Sequence, residues 1–330
     1  MKFKTLLIIA VIIAPFFTSC DSDEDTPIGN WVTKSVFEGY ARAEGSSFEI
    51  NDYGYWGMGR DDNEYLTDFW QYDPVLNTWT QVADFPGTPR AFNVSASTNS
   101  KGYVGLGYDG NTDLADFWEY NAANNEWTQI DDFQGGERRF ATAFGIDNSI
   151  YVGTGTYDRN RIYNNDFYKF DGTSWTKITS NPGTKRREAQ STSLNGKGYL
   201  ISGQSNNAML QDFWSYDPAS DSWTRLNNLN NEDTGNTNLA RRNGVAYAAD
   251  GKIYLVSGNT GNATTVSAYE WNPASDSWIE RTSIESGITR EGAGSFVLND
   301  YGYIVGGRSG ASYRDDCYMF QPMADKVEND

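Results

Sequence analysis

The chain has 330 residues, with 26 Lys and Arg against 44 Asp and Glu, so its formal net charge is −18. It contains no histidine and only 2 cysteines, which excludes a Ser-His-Asp relay, a histidine-ligated metal and a disulfide framework. The negative charge also excludes nucleic acid as an expected partner, because phosphate binding requires a basic face. The 33 Gly, 11 Trp, 21 Tyr and 17 Phe indicate a folded, β-rich protein with many turns.

The first twenty residues have the features of an export signal. Two lysines precede an apolar run over 6–17, which is too short to span a bilayer. The run is followed by Thr18-Ser19-Cys20, and small residues directly before a cysteine resemble a bacterial lipobox. This resemblance implies cleavage before Cys20 and acylation of its thiol. The alternative is an ordinary signal peptide that happens to end near a cysteine.

An acidic segment follows the cysteine, with Asp or Glu at four of the five positions 21–25. It resembles the acidic run that directs lipoproteins of Bacteroidetes-type bacteria to the outer cell surface. We therefore expect a signal peptide over 1–19, a tether over 20–27, a folded body over 28–322 and a C-terminal tail over 323–330. The expected location is the cell envelope, lipid-anchored in the outer membrane, either periplasmic or surface-exposed.

One motif repeats six times through the body of the chain. An arginine is followed by a tyrosine at position +13 and a glycine at position +17: the arginines are Arg42, Arg90, Arg138, Arg186, Arg241 and Arg290, and the glycines are Gly59, Gly107, Gly155, Gly203, Gly258 and Gly307. A tryptophan stands 20 positions after five of these glycines, at Trp79, Trp127, Trp175, Trp223 and Trp278. Such regular spacing predicts six copies of one structural unit.

Turn residues divide each repeat into four short strands. The third is aromatic, as in the sequence DFWQYD at 68–73, and the fourth begins at the tryptophan. Six such repeats predict an all-β, six-bladed β-propeller of four-stranded blades. Val327 stands where the last repeat should have its tryptophan, while Trp31 has no room before it for three strands. We therefore predict that the Trp31 strand completes the last blade and closes the ring.

A glycine-ended second strand, an aromatic third strand and a tryptophan about twenty residues after the glycine resemble the kelch repeat. The resemblance covers residues 28–322. It departs from the family pattern because the Gly-Gly doublet is complete only at Gly306-Gly307. The resemblance implies that the loops between successive blades line one face near a central channel, and by itself it says little about function.

The six repeated arginines lie in these loops and have two interpretations. They form either an anion-binding ring or pairs with acids of the blade framework. Suitable acids precede the third strand in five of the six repeats: Asp68, Asp116, Asp166, Asp212 and Asp316.

The position after each repeated arginine varies among the repeats and is the better functional candidate. Three successive repeats place a second arginine there, which predicts a basic sector for an anionic ligand, with nearby glutamates for sugar hydroxyls. The loop after the third repeat's glycine adds two contact residues. The alternative is ordinary surface charge and an ordinary polar turn. The candidate ligand-binding residues are Arg139, Arg187, Arg242, Glu188, Glu291, Tyr157 and Arg159.

These observations favour a lipid-anchored, non-catalytic binding or scaffold module, with a protein or an anionic glycan at the channel face. No metal or cofactor is predicted. The alternative is a carbohydrate-active enzyme, because some kelch propellers of similar size act as sialic-acid epimerases, and that resemblance implies Glu188 or Glu291 as acid or base. A copper-radical propeller of the galactose oxidase type is excluded, since its site requires histidines.

Overall fold

A computed structural model describes residues 28–158, 161–229, 239–284 and 289–327. These residues form six four-stranded antiparallel sheets, so the predicted six-bladed propeller is confirmed. The predicted signal peptide and tether, with Cys20, lie outside the described residues. Within the described ranges, no helix is long and apolar enough to cross a membrane.

We number the strands of each blade from the channel outwards. The first strands are Ser46–Ile50, Val94–Ser97, Thr142–Ile146, Gln190–Leu194, Val245–Ala249 and Gly294–Leu298. The second strands are Tyr53–Gly57, Lys101–Gly105, Ser149–Gly153, Lys197–Ile201, Lys252–Val256 and Tyr301–Val305. The third strands are Phe69–Asp73, Phe117–Asn121, Phe167–Phe170, Phe213–Asp217, Ala268–Asn272 and Cys317–Gln321. The fourth strands are Thr78–Val82, Glu126–Ile130, Trp175–Ile178, Ser222–Arg225, Ser277–Arg281 and, in blade 6, Asn30–Thr33.

Three blades carry an additional small hairpin after the second strand. Its paired segments are Thr156–Tyr157 with Ile162–Tyr163 in blade 3, Gln204–Ser205 with Ala208–Met209 in blade 4, and Arg308–Ser309 with Ser312–Tyr313 in blade 6.

The N-terminal strand closes the ring as predicted. Asn30–Thr33 pairs antiparallel with Cys317–Gln321, which places Trp31 opposite Phe320. The Trp31 indole N–H donates to the Thr282 carbonyl of blade 5 at 2.7 Å. The fourth-strand tryptophans of blades 1 to 4 make the same bond to the preceding blade: Trp79 to Ser35, Trp127 to Ala83, Trp175 to Asp131 and Trp223 to Thr179. The N-terminal strand is therefore the fourth strand of blade 6, and Trp31 takes the place of the fourth-strand tryptophan there.

Neighbouring blades pack through aromatic rings against glycines. The Phe48 ring of blade 1 lies on Gly102 of blade 2, where any Cβ would collide with it. The same contact recurs between Phe144 and Gly198, and between Phe296 and Gly54 at the junction of blades 6 and 1. Since a larger residue would separate the sheets, these glycines fix how closely the blades approach.

The six first strands surround the central channel, each in contact with the first strands of both neighbouring blades. Most of the residues that line the interior are small, and it holds a cavity of about 270 Å³. The loops that join the fourth strand of one blade to the first strand of the next meet at one end of this channel, called the mouth below. The hairpins between first and second strands meet at the opposite end.

Replacing Trp31 with alanine should weaken ring closure. Trp31 is 1% exposed and its ring lies 4.7 Å from that of Phe320, so we expect the free energy of unfolding to fall by about 3–5 kcal/mol. Urea denaturation followed by circular dichroism would measure this. Tyr40→Ala is the matched control, because the Tyr40 ring is 70% exposed. Equal losses in the two variants would contradict the closing role.

Candidate functional site

The six repeated arginines belong to the blade framework rather than to a ligand site. Five of them pair with the predicted aspartates at N–O distances of 2.5 to 2.8 Å: Arg42–Asp68, Arg90–Asp116, Arg138–Asp166, Arg186–Asp212 and Arg290–Asp316. All six guanidinium side chains are buried. Of the two interpretations, the structure therefore supports pairing with framework acids.

Because of these ion pairs, the folded protein should be less stable at acidic pH. Burial alone raises the pKa of Asp68, but hydrogen bonds from Arg42 and the Trp70 indole outweigh burial and hold that pKa below its ordinary value. The pKa values of Asp116 and Asp212 are lowered in the same way. Their stabilisation is complete above the unfolded-state pKa of about 4 and is lost as pH falls through the lower folded-state pKa.

Blade 5 departs from this pattern because Ser267 stands where the other blades have aspartate. Arg241 is 1% exposed and donates to the carbonyl of Ser257 at 2.7 Å and to the hydroxyl of Ser267 at 3.2 Å. No carboxylate of the described residues lies within ion-pair distance of its guanidinium. Burial without an acidic partner lowers the pKa of Arg241 to about 10.

A closed ring of backbone hydrogen bonds surrounds the mouth of the channel. It consists of the residues two positions after each repeated arginine: Glu44, Phe92, Phe140, Glu188, Asn243 and Gly292. Each N–H donates to the carbonyl of the equivalent residue in the preceding blade, at 2.7 to 3.0 Å, and the bond from Glu44 to Gly292 closes the circle. All six residues have φ between 53° and 66°, a left-handed conformation that turns the peptide groups around the ring.

Seven charged side chains form an alternating series around this ring, which we call the charged arc. In order they are Arg187, Glu188, Arg242, Glu291, Arg308, Glu44 and Arg60, with successive N–O distances of 3.8, 3.5, 3.5, 3.1, 3.2 and 2.7 Å. The glutamate side chains are 2–6% exposed, whereas the arginine side chains are 15–30% exposed. The buried carboxylates therefore hold guanidinium groups that remain open to solvent, and four arginines against three glutamates leave a net charge of +1.

Glu188 has an unusual electrostatic environment within the charged arc. Burial raises its pKa, Arg187 and Arg242 partly offset that rise, and Glu291 and Glu44 add to it, so the pKa lies above the ordinary value. A carboxyl group of raised pKa beside arginines is suited to donating or accepting a proton.

Blades 2 and 3 contribute aromatic rings to the other side of the mouth. The rings of Phe92 and Phe140 lie 4.4 Å apart. The Arg139 guanidinium lies 3.8 Å from the centre of the Tyr108 ring, and its Nε is 2.7 Å from Asp113 Oδ1. The mouth therefore has a charged side, formed by blades 4, 5, 6 and 1, and an aromatic side, formed by blades 2 and 3. On the aromatic side Arg139 is already paired with Asp113.

Arg187 ends the charged arc at its border with the aromatic side. Its Nε is 3.8 Å from Glu188 and has no hydrogen-bond partner among the described residues. Its guanidinium lies 5.4 Å from the Phe140 ring and 5.9 Å from the Tyr163 ring. Every other arginine of the arc has a carboxylate within 3.5 Å, so Arg187 is the least neutralised cation of the arc.

The structure brings most of the predicted contact residues to one place. Arg187, Arg242, Glu188 and Glu291 are members of the charged arc, and Arg139 lies at the same mouth with Asp113. Tyr157 pairs with Ile162 in the small hairpin of blade 3 and is not part of the arc. Arg159 lies outside the described residues.

Four charged members of this site were not predicted from the sequence, namely Glu44, Arg60, Arg308 and Asp113, and neither were the rings of its aromatic side. Arg60 and Arg308 directly follow the glycine after the second strand, and each bridges to the residue after a repeated arginine, Ala43 and Glu291 respectively. Their position varies among repeats just as that of the predicted residues does. This variation among repeats could have identified Arg60 and Arg308 as candidates from the sequence.

Comparisons with known proteins agree with the fold. A family model described as the KLHDC2/KLHL20/DRC7 Kelch-repeats domain matches residues 107–235, and the Kelch motif matches residues 56–86. The solved structure of YjhT aligns with a TM-score of 0.72 over 87% of this chain and 96% of that chain, at 17% sequence identity. No curated protein matches the chain. With the six blades, these matches identify the chain as a kelch-repeat β-propeller.

Replacing Ser267 with aspartate should supply the carboxylate that Arg241 lacks. We expect the free energy of unfolding at pH 7 to rise by about 1–3 kcal/mol, because a charged hydrogen bond forms in a buried setting. The gain should be smaller at pH 3, where the new carboxyl is largely protonated in the unfolded state, and it should vanish once the pH falls through the lower folded-state pKa. Urea denaturation at both pH values measures the effect. Ser267→Asn adds similar volume without charge, and an equal gain in that control would refute the electrostatic explanation.

Proposed function

We propose that this kelch propeller is a non-catalytic binding module for an anionic glycan, which binds at the mouth of the channel. The observation that carries the proposal is the open end of the charged arc at Arg187. Along the arc, arginines and glutamates alternate, and the next position beyond Arg187 would belong to an anion. A carboxylate or sulfate of the ligand would occupy that position and form a bidentate pair with the guanidinium.

The aromatic side of the mouth favours a glycan as the carrier of this anion. Phe92, Phe140 and Tyr163 border Arg187 or its neighbours, and rigid rings offer apolar contact area at low entropic cost. On the charged side, Glu188 and Glu291 provide acceptors for hydroxyl groups. A ring-shaped ligand with an anionic substituent would therefore use both sides of the mouth at once.

The test compares sialylated and sulfated oligosaccharides with their uncharged counterparts by isothermal titration calorimetry. We expect binding of the anionic forms only, and an affinity at least tenfold lower in Arg187→Ala. Arg161→Ala is the matched control, because it removes an exposed arginine from the small hairpin of blade 3 and should bind like the wild type. Unchanged binding by Arg187→Ala would refute the site, and binding of an acidic peptide but no glycan would indicate a protein partner instead.

The second candidate is an epimerase that acts on an anionic sugar such as N-acetylneuraminate. The raised pKa of Glu188 between two arginines favours it, since an epimerase requires a group that exchanges protons near neutral pH. Substoichiometric protein added to the sugar, followed by proton NMR, separates the two functions. Faster interconversion that is abolished in Glu188→Gln would establish the enzyme, whereas saturable binding without turnover supports the binding module.

We also propose that the mature chain is anchored in the outer membrane through lipid on Cys20. The support is the lipobox-like sequence that ends at this residue, followed by the acidic run. The eight residues 20–27 reach at most about 28 Å when extended, so the propeller would stay near the membrane surface.

Replacing Cys20 with alanine should remove the anchor. In cells fed labelled palmitate, the wild-type protein should carry label and sediment with membranes, whereas Cys20→Ala should be unlabelled and absent from the membrane fraction. Cys317→Ala is the control, because that cysteine is buried in blade 6 and should not affect labelling. Label retained by Cys20→Ala would refute the lipoprotein assignment.

A further inference from the structure

One residue inside the channel has no chemical counterpart in the other blades. The residues seven positions after the repeated arginines occupy equivalent places in the first strands: Glu49, Ser97, Gly145, Ser193, Ala248 and Val297. Glu49 is the one ionisable residue of this set. The side chains at the other five positions are small and uncharged, so the carboxylate at this position requires a separate explanation.

Two cavities meet at Glu49. One, of about 270 Å³, lies between the first strands. The other, of about 590 Å³, opens at the end of the channel where the first-to-second-strand hairpins meet. Glu49, Ser97 and Ser193 line both cavities, so this carboxylate can be reached from the hairpin end.

The polar residues around the hairpin end are explained by their turns. Asn51, Asp52, Asp147, Asn195 and Asn299 have φ between 50° and 68°, and tight hairpin turns select Asn and Asp for that conformation. Glu49 lies within a regular strand, where no turn requires it. Local structure therefore does not explain why a carboxylate lines this cavity at position 49.

Glu49 has no cationic partner among the described residues. The backbone N–H groups of Val297, in blade 6, and of Glu49 itself favour its carboxylate form. The side chain is open to the lumen, yet the surrounding channel walls restrict its solvation and raise its pKa to about 7. Because the Glu49 side chain is open to the lumen, a cation that enters the channel can reach its carboxylate and would favour the ionised form.

We propose that the hairpin side of the channel is a binding site for a small primary amine, with its ammonium group held by Glu49. An ammonium group has three donors and no acceptor, which suits a carboxylate and the hydroxyls of Ser97 and Ser193. A metal ion fits less well, because nowhere in the described chain do three His, Cys, Asp or Glu side chains converge. Asp52 and Asp147 at the cavity rim would favour the entry of a cation.

This site is separate from the mouth and does not depend on anion binding there. The closed hydrogen-bonded ring lies between them at the mouth end of the first strands. Since hydrogen-bonded backbones lie about 5 Å apart, a ring of six has a radius of about 5 Å before the atomic radii are subtracted. The ring is therefore narrow, and the cavity of about 590 Å³ at the hairpin end is the entrance for the amine.

Calorimetric titration with 1,4-diaminobutane tests the proposal, using the wild type, Glu49→Gln and Glu280→Gln. Glutamine at position 49 keeps an oxygen that can accept the Val297 N–H but removes the charge. Glu280→Gln removes one exposed carboxylate from the fourth strand of blade 5 and is the matched control. Butan-1-ol and calcium chloride serve as neutral and metal-ion comparisons, and thermal unfolding confirms that each variant is folded.

We expect the diamine to bind the wild type and Glu280→Gln equally, with at least tenfold weaker binding in Glu49→Gln and none of butan-1-ol. Carboxyl ¹³C NMR should show the pKa of Glu49 falling when the amine is bound, because a cation stabilises the carboxylate form. The proposal is overturned if the wild type does not bind the diamine, if Glu49→Gln binds it as tightly, or if calcium binds and the amine does not.

Discussion

Pairing of the N-terminal strand with the last sheet is the contact on which the rest of this structure depends. Without Asn30–Thr33, blade 6 would have three strands and an unpaired edge, and blade 5 would lose the indole bond that Trp31 makes to Thr282. Closure also brings the six inter-blade loops into a circle. The backbone ring at the mouth can exist only in that circle, because its last hydrogen bond joins Glu44 near the start of the chain to Gly292 near its end.

Arginine serves two distinct purposes in this fold, and burial separates them. The arginine repeated in every blade is buried and, in five blades, paired with an aspartate, so its charge is satisfied within the blade. The arginines at variable positions stay partly exposed around the mouth and share buried glutamates with one another. Arginines that are repeated in every blade therefore stabilise the blade, whereas arginines at positions that vary between blades are available to contact a ligand. Arg241 shows the cost of breaking the pattern, because a buried guanidinium without its acid has a lowered pKa.

The two ends of the channel differ in chemistry because they are made from different parts of the repeat. The mouth takes its residues from loops of variable sequence, and there cations with a net excess of positive charge face solvent. The hairpin end consists of tight turns, whose left-handed residues favour Asn and Asp. The Asn and Asp residues of the hairpin end therefore follow from its tight turns, whereas the excess of positive charge at the mouth follows from the choice of side chains in its loops. The hydrogen-bonded ring at the mouth separates the two environments.

The spacing of Arg, Tyr, Gly and Trp determined the blade count, the four strands per blade and the closing strand, since each depends on residues within one repeat or on the missing strand of the last. It also located the acids that could pair with the repeated arginines, but only the structure showed that they do. The sequence also identified Arg187, Arg242, Glu188 and Glu291 as candidates. Their arrangement was decided by tertiary structure. Arg308 and Glu44 are 264 residues apart and meet only when the ring closes, and the alternation of charge along the arc depends on contacts between neighbouring blades. Local spacing fixes which strand a residue occupies, whereas distances between loops of different blades are set by the closed ring.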